Sequence, residues 1–90
     1  MMLKPEVVLA LEREQRVCEM AIDRLEERSR PFEQQYGWST DQFLRKFNDG
    51  EIGDDKSFFL WYALAEAIFD WRKTCDSLKD LLASAELVSA

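Results

Sequence analysis

The sequence contains no histidine, so it lacks the commonest general base and metal ligand in proteins. It also has no glycine-rich phosphate-binding loop, and no base that could activate its serines. Its two cysteines, Cys18 and Cys75, are too few for a disulfide scaffold or for a zinc site without histidine. We therefore expect no catalytic residues, no cofactor and no metal ligands, and we predict that the protein is not an enzyme.

Basic residues are scarce as well. The chain has 12 lysines and arginines against 18 aspartates and glutamates, a net charge of −6. The excess of acid is spread evenly, and no segment forms a basic arm. Phosphate binding needs clustered lysine and arginine, so the composition argues against nucleic acid as a direct partner. An acidic surface favours solubility or a basic protein partner.

Long apolar runs are absent too. The most apolar segment, residues 58–69, is interrupted by Glu66 and is shorter than the roughly 20 residues that a membrane span needs. The first residues contain one lysine and no apolar core followed by a small-residue cleavage site. We expect a cytoplasmic protein that has no membrane partner.

Residues that break helices are few and concentrated. All three glycines lie between residues 37 and 53, and the only prolines are Pro5 and Pro31. Before this region, residues 5–36 carry a stripe at alternating steps of three and four, apolar except at Gln15 and Ser29, which predicts a first long helix. Pro5 suits the first helical position, where its missing N–H has no partner to lose. The apolar stripe consists of Val8, Leu11, Cys18, Ile22, Leu25, Phe32 and Tyr36.

Pro31 conflicts with this helix because it lacks the N–H that would bond to the carbonyl of Glu27. Since Phe32 and Tyr36 continue the stripe, we expect a kink with the last turn or two still helical. A clean break at residues 29–30 is the alternative.

A second long helix is predicted over residues 55–84, and the tail after Ala83 is expected to fray. Its stripe also steps by three and four: Trp61, Leu64, Ile68, Trp71, Cys75, Leu78 and Leu82. When the two helices are set antiparallel, one register matches Phe32 with Trp61, Leu25 with Ile68, Ile22 with Trp71, Cys18 with Cys75, and Leu11 with Leu82. This register makes the cysteines neighbours. A disulfide is one alternative, but a cytoplasmic chain favours two reduced thiols that fill the core.

Between the long helices, residues 36–61 form a structured corner. Gly37 ends the first helix, and Ser39 with Gln42 forms a capping-box pattern that starts a short helix over residues 40–48. A turn then leads to Asp54 and Asp55, two candidate N-caps for the second long helix. We expect the aromatic side chains of the corner to pack as a lid across one end of the hairpin. The corner residues are Tyr36, Gly37, Ser39, Phe43, Phe47, Gly50, Gly53, Asp54, Asp55 and Trp61.

The acidic residues of this corner allow two interpretations. They form either a cation site or turn and cap chemistry, and we favour the second because their spacing does not fit an EF-hand loop. Glu66 and Asp70 likewise form an acidic pair one turn apart, which we interpret as a polar edge rather than a catalytic dyad. The residues at issue in the corner are Asp49, Glu51, Asp54 and Asp55.

The start of the second helix is apolar on all sides. It therefore has more apolar surface than two neighbouring helices can cover. We therefore expect a single all-α domain over residues 1–90, an antiparallel hairpin of two long helices that dimerises into a four-helix-type bundle. The side chains predicted to bind a partner are Phe58, Phe59, Tyr62 and Phe69.

The corner also carries a sequence phrase. The pattern F-x-x-x-YG-W-S-x-x-x-F-x-x-x-F-x-x-GE-I-GDD-x-x-F-x-x-W, from Phe32 to Trp61, resembles small helical antitoxins of prokaryotic toxin–antitoxin pairs. The resemblance implies a protein that binds and neutralises a cognate toxin, often a ribonuclease. It does not extend to DNA-binding autorepression, because the chain has no basic ribbon-helix-helix or helix-turn-helix segment.

An antitoxin-like inhibitor is thus the leading hypothesis. The first alternative is a structural homo-oligomeric bundle without a toxin partner. The second is a bundle that binds a metal or a small ligand, which only the acidic cluster supports.

Overall fold

The computed structural model describes the backbone of residues 3–89 and the side chains of residues 3–85. It contains three helices, α1 (Pro5–Tyr36), α2 (Thr40–Asn48) and α3 (Lys56–Ser89), and the described residues include no strand. Helix α1 packs along α3 and α2 packs against α3. The predicted all-α hairpin is confirmed, and the molecule is long and thin, with extents of 52 × 22 × 17 Å.

Helix α1 runs unbroken through Pro31, so the residues after the proline are helical as expected. The alternative of a clean break at residues 29–30 is therefore wrong. The helix tolerates the proline because Glu27, whose carbonyl loses its amide partner, lies on the exposed side where water can replace that bond. Ser29 is buried, and its hydroxyl donates to the carbonyl of Leu25 at 2.9 Å, so its polar group is satisfied inside the helix.

Local chemistry sets the ends of α1 and α2. Gly37 adopts a left-handed φ of 75° and its N–H donates to the carbonyl of Glu33, which closes α1. Two bonds then form the predicted capping box of α2: the N–H of Gln42 donates to Ser39 Oγ at 3.1 Å, and the N–H of Ser39 donates to Gln42 Oε1 at 2.9 Å. Gly50, at φ 72°, follows the end of α2.

Helix α3 begins where the sequence predicts and ends later. Asp55 Oδ1 accepts from the N–H of Ser57 at 3.0 Å, as an N-cap does. The helix then continues to Ser89, so the expectation that the tail frays after Ala83 is wrong for the backbone of residues 84–89. Leu82 and Ala85 are both buried, and this packing continues beyond the predicted end.

The predicted register of the hairpin is confirmed at two of its residue pairs. The rings of Phe32 and Trp61 stack with centroids 5.6 Å apart. Cys18 and Cys75 are buried free thiols, close enough for Cys18 to raise the pKa of Cys75, so the alternative of a disulfide is wrong. The core is thus a narrow seam between α1 and α3, and it widens only at the corner, where α2 adds a third layer.

Candidate functional site

The widest part of the core is an aromatic cluster around Trp61, which is fully buried together with Phe43. Their rings are parallel within 8° and their centroids are 3.9 Å apart. Tyr36 also packs against the cluster, with its ring centroid 5.8 Å from that of Trp61 and 4.9 Å from that of Phe58. Such ring pairs add about 0.5–1.5 kcal/mol each beyond the area they bury. The cluster fixes α2 across the end of the hairpin, as predicted for Phe43, Phe47 and Trp61.

A chain of hydrogen bonds connects all three helices beside this cluster. Trp61 Nε1 donates to Thr40 Oγ1 at 3.1 Å. The hydroxyl of Thr40 donates to Glu33 Oε2 at 3.0 Å, and the N–H of Thr40 donates to the same oxygen at 2.7 Å. Because the indole N–H and the carboxylate are both paired, burying the tryptophan leaves neither group unsatisfied.

The four residues predicted to bind a partner do not share one environment. Phe58 is only 9% exposed and packs in the core against Phe43. Tyr62 is half-buried, with its ring stacked on Phe47 at 4.4 Å. Phe59 and Phe69, by contrast, are 54% and 47% exposed. Only these last two side chains present about half of their surface to another molecule.

Phe59 and Phe69 belong to a surface on the outer side of α3, which we call the aromatic surface: Phe59, Tyr62, Glu66, Phe69 and Lys73. The ammonium of Lys73 lies 4.4 Å from the centre of the Phe69 ring, a cation–π contact. A hydrogen bond to the Glu66 carboxylate raises the pKa of Tyr62 above its ordinary value of 10.0, with smaller effects from burial and from the charge of Glu66. The single phenol proton of Tyr62 is thus engaged by Glu66.

Two of the four corner acids have structural side-chain contacts. Asp55 caps α3, and Glu51 lies 3.9 Å from the ammonium of Lys46. Within the part of the chain that the structure describes, no three histidine, cysteine, aspartate or glutamate side chains are grouped so as to hold a metal ion. The hydroxyls of Tyr36 and Ser57 are 2.9 Å apart and join the end of α1 to the start of α3.

Two residues that hold the corner in place, one within it and one further along α3, were missed by the sequence predictions. Trp38 stacks on Tyr36 and lies under the ammonium of Lys46, 5.3 Å from its ring centre. Arg72 pairs with Asp41 on α2 at 3.3 Å and with Glu26 on α1 at 3.4 Å, at the edge of a cleft of about 170 Å³. An aromatic residue directly after the helix-ending glycine could have indicated Trp38, whereas no local pattern identifies Arg72.

Among residues 3–89, no helix combines the length and apolar character that a membrane crossing requires. Comparisons with protein-family models, with curated proteins and with solved structures find no match for this chain. The resemblance to helical antitoxins therefore depends on the phrase at residues 32–61 and stays a prediction.

Proposed function

We propose that this protein is an antitoxin-like inhibitor that binds a partner toxin and neutralises it through the aromatic surface of α3. The observation that carries the proposal is the exposure of Phe59 and Phe69, 54% and 47%, on the same helix as Trp61, which is fully buried. Large aromatic side chains are enriched where proteins bind each other, and they supply much of the binding energy. The core at this point is formed by Phe43, Phe58 and Trp61, so about half of each of these two exposed rings is left for a partner.

The charge of the chain fits a basic partner. A toxin that cleaves RNA must attract phosphate with lysine and arginine, and a chain of net charge −6 is complementary to such a surface. Glu66 lies within the aromatic surface and Asp70 directly follows Phe69. We infer that neutralisation occurs by occlusion, with the acidic groups steering the encounter and the aromatic rings supplying contact area.

The test is co-expression with the product of the neighbouring gene. The neighbour should arrest growth alone, and this chain should restore it. Phe69→Asp combined with Phe59→Asp should abolish the rescue, because two charges would enter the interface. Leu9→Asp is the matched control: Leu9 is 60% exposed on α1, away from the aromatic surface, and its substitution should leave rescue intact. A harmless neighbour, or one that stays toxic beside the unaltered chain, would refute the proposal.

A second proposal concerns assembly, since the shape of the molecule favours a dimer of hairpins. Its radius of gyration is 17.1 Å, whereas a compact domain of this length has about 12 Å. A two-helix seam is thin, and helical hairpins commonly pair into four-helix bundles. Sedimentation equilibrium at micromolar concentration should show a dimer, and a monomer under those conditions would contradict this part of the proposal.

A further inference from the structure

One broad face of the hairpin is left open by α2. Helix α2 packs against the side of α3 that carries Phe58, and Arg72 of α3 pairs with both Asp41 of α2 and Glu26 of α1, so α2 lies on the side of the hairpin that carries Glu26. Ala67 follows Phe58 by nine residues, and Glu26 follows Val17 by nine. Since nine residues make about two and a half helical turns, Ala67 and Val17 both lie on the side opposite α2. We call this side the open face: Val17, Met20 and Ala21 of α1 with Leu60, Ala67 and Trp71 of α3.

The open face is apolar and grooved. Val17, Met20 and Leu60 are 46%, 59% and 55% exposed. A shallow groove of about 220 Å³ is lined by Val17, Met20, Ala21 and Arg24, and another of about 300 Å³ is lined by Ala67, Asp70, Trp71 and Thr74. Grooves between exposed side chains are what the ridges of another helix pair pack into.

The solvent-accessible area of the chain indicates how large a partner should cover the open face. The chain exposes 6491 Å², whereas a compact monomer of 10.6 kDa exposes about 5,500 Å². The excess, roughly 1,000 Å², is close to the ~800 Å² that each partner buries in a stable interface of standard size. One further copy of the hairpin is enough to cover it.

Charge selects how the second copy lies. The α1 edge of the face carries Arg13, Arg24 and Arg28. The α3 edge carries Lys56 at its start and Asp70 near its middle, and none of these five forms an ion pair among residues 3–85. A two-fold axis that lies in the interface, perpendicular to the helices, would pack α1 of one copy on α1 of the other. The arginines of the two copies would then face each other. An axis parallel to the helices places α1 on the α3 of the other copy, so that opposite charges meet.

We propose that a second copy of this chain docks on the open face, with α1 of each copy packed on α3 of the other. Because Cys18 faces Cys75, Arg24 of α1 and Asp70 of α3 lie at about the same position along the length of the hairpin. A two-fold axis parallel to the helices leaves that position unchanged in the second copy. Arg24 of each copy therefore lies opposite Asp70 of the other, twice in each dimer. This inference rests on the proposed dimerisation and names its surface. The aromatic surface stays free for a toxin, because Phe69 is about 200° around α3 from Ala67.

Sedimentation equilibrium of the full chain tests the face. Val17→Asp should raise the dissociation constant of the dimer at least tenfold while helical content by circular dichroism is unchanged, since Val17 is not a core residue. Phe69→Asp is the matched control, an equally exposed side chain on the other side of the bundle, and should leave dimerisation unchanged. Met20→Lys is a second variant for the same measurement, to be used if Val17→Asp lowers the helical content. Met20 is 59% exposed on the α1 side of the open face.

The arrangement has a separate test. Arg24→Glu and Asp70→Arg should each weaken the homodimer about tenfold, because each places two like-charged pairs in the interface. An equimolar mixture of the two variants should regain the dimer. In the mixed dimer the introduced glutamate of one copy meets the introduced arginine of the other, and the remaining pair is native. A mixture that dissociates as readily as either variant alone would contradict the placement of α1 on α3.

Three outcomes overturn the inference in distinguishable ways. A monomeric wild-type chain refutes dimerisation itself. A wild-type dimer that Val17→Asp and Met20→Lys leave intact refutes the open face while leaving dimerisation standing. If the wild-type chain is monomeric and Val17→Asp abolishes toxin binding, the open face binds the toxin instead of a second copy. In that case the double variant Phe59→Asp with Phe69→Asp should still rescue growth, contrary to the proposed function.

Discussion

Trp61 of α3 contacts both other helices, through ring stacking and a hydrogen bond. Its ring stacks on Phe43 of α2 and on Phe32 of α1, and its indole N–H donates to Thr40. It is fully buried and its polar atom is paired, so it contributes apolar burial without the cost of an unsatisfied donor.

Trp61→Ala should lower the free energy of unfolding by about 3–5 kcal/mol, because it removes a large buried ring and leaves a cavity that the surrounding helices cannot fill. Urea denaturation followed by circular dichroism at one protein concentration measures this. Phe69→Ala removes an aromatic ring that is 47% exposed and should change stability by less than about 1 kcal/mol. Similar losses for the two variants would show that the cluster is not the centre of the fold.

The thiol pair is the other residue-level feature with a measurable consequence. Burial raises the pKa of the Cys75 thiol above its ordinary value of 9.0, and the interaction with Cys18 adds to this. The folded chain therefore keeps the Cys75 proton at a pH where the unfolded chain has lost it. The resulting stabilisation is fully present below pH 9.0 and is lost as pH rises through the higher pKa of the folded state.

We therefore expect the free energy of unfolding to fall more steeply with pH above pH 9.0 in the wild-type chain than in Cys75→Ala. The difference in slope, not the absolute stability, is the readout, because the substitution also creates a small cavity. Urea midpoints on either side of that pH supply it. Parallel slopes would mean that the thiol titrates alike in both states.

The boundaries of α1 and α2 follow from short-range chemistry, which is why the sequence predicts them. Gly37 supplies the left-handed residue that closes α1, and Ser39 with Gln42 supplies both bonds of the capping box. The end of α3 has no such signal, because neither glycine nor proline occurs anywhere after Gly53. The sequence consequently predicts too short a helix, and burial of Leu82 and Ala85 accounts for its continuation.

Periodicity predicts less about the candidate site. The apolar start of α3 shows that side chains are in excess, but it does not show where α2 lies against them. That placement buries Phe58, half-buries Tyr62 and leaves Phe59 and Phe69 exposed. It depends on contacts between residues far apart in sequence, such as Phe43 with Trp61, which a short window along the chain does not reveal.

Gly37→Ala tests the end of α1. A Cβ at this position meets no atom within 4 Å, so the only cost is the left-handed φ of 75°, about 1–2 kcal/mol. Gly53→Ala is the matched control, because Gly53 has equal space and no positive φ. It should be neutral, or stabilising by a few tenths of a kcal/mol through the unfolded state. Thermal or urea denaturation of the two variants gives the comparison, and equal stability would contradict the assigned backbone.

The whole molecule is a hairpin with α2 fixed on one side, and this asymmetry produces its two free surfaces. Helix α2 packs against α3 near one end of the hairpin and reaches α1 through Glu33 directly and through Glu26 by way of Arg72, so the open face remains on the other side and the aromatic surface remains on the outer side of α3. Arg72 is the only described side chain that forms ion pairs with both other helices, since it reaches Glu26 and Asp41. It therefore holds the position of α2 electrostatically, in addition to the aromatic cluster.

Arg72→Gln should reduce the free energy of unfolding by about 0.5–1 kcal/mol at low salt. The loss is modest because the arginine side chain is 45% exposed and water screens both pairs. It should shrink in molar sodium chloride, where the Debye length is only about 3 Å. Arg45→Gln is the matched control, since Arg45 is exposed on α2 and forms no ion pair among the described residues. A loss for Arg72→Gln that is unchanged by salt would indicate that its alkyl stem packs against the hairpin, and that α2 is held by apolar contact alone.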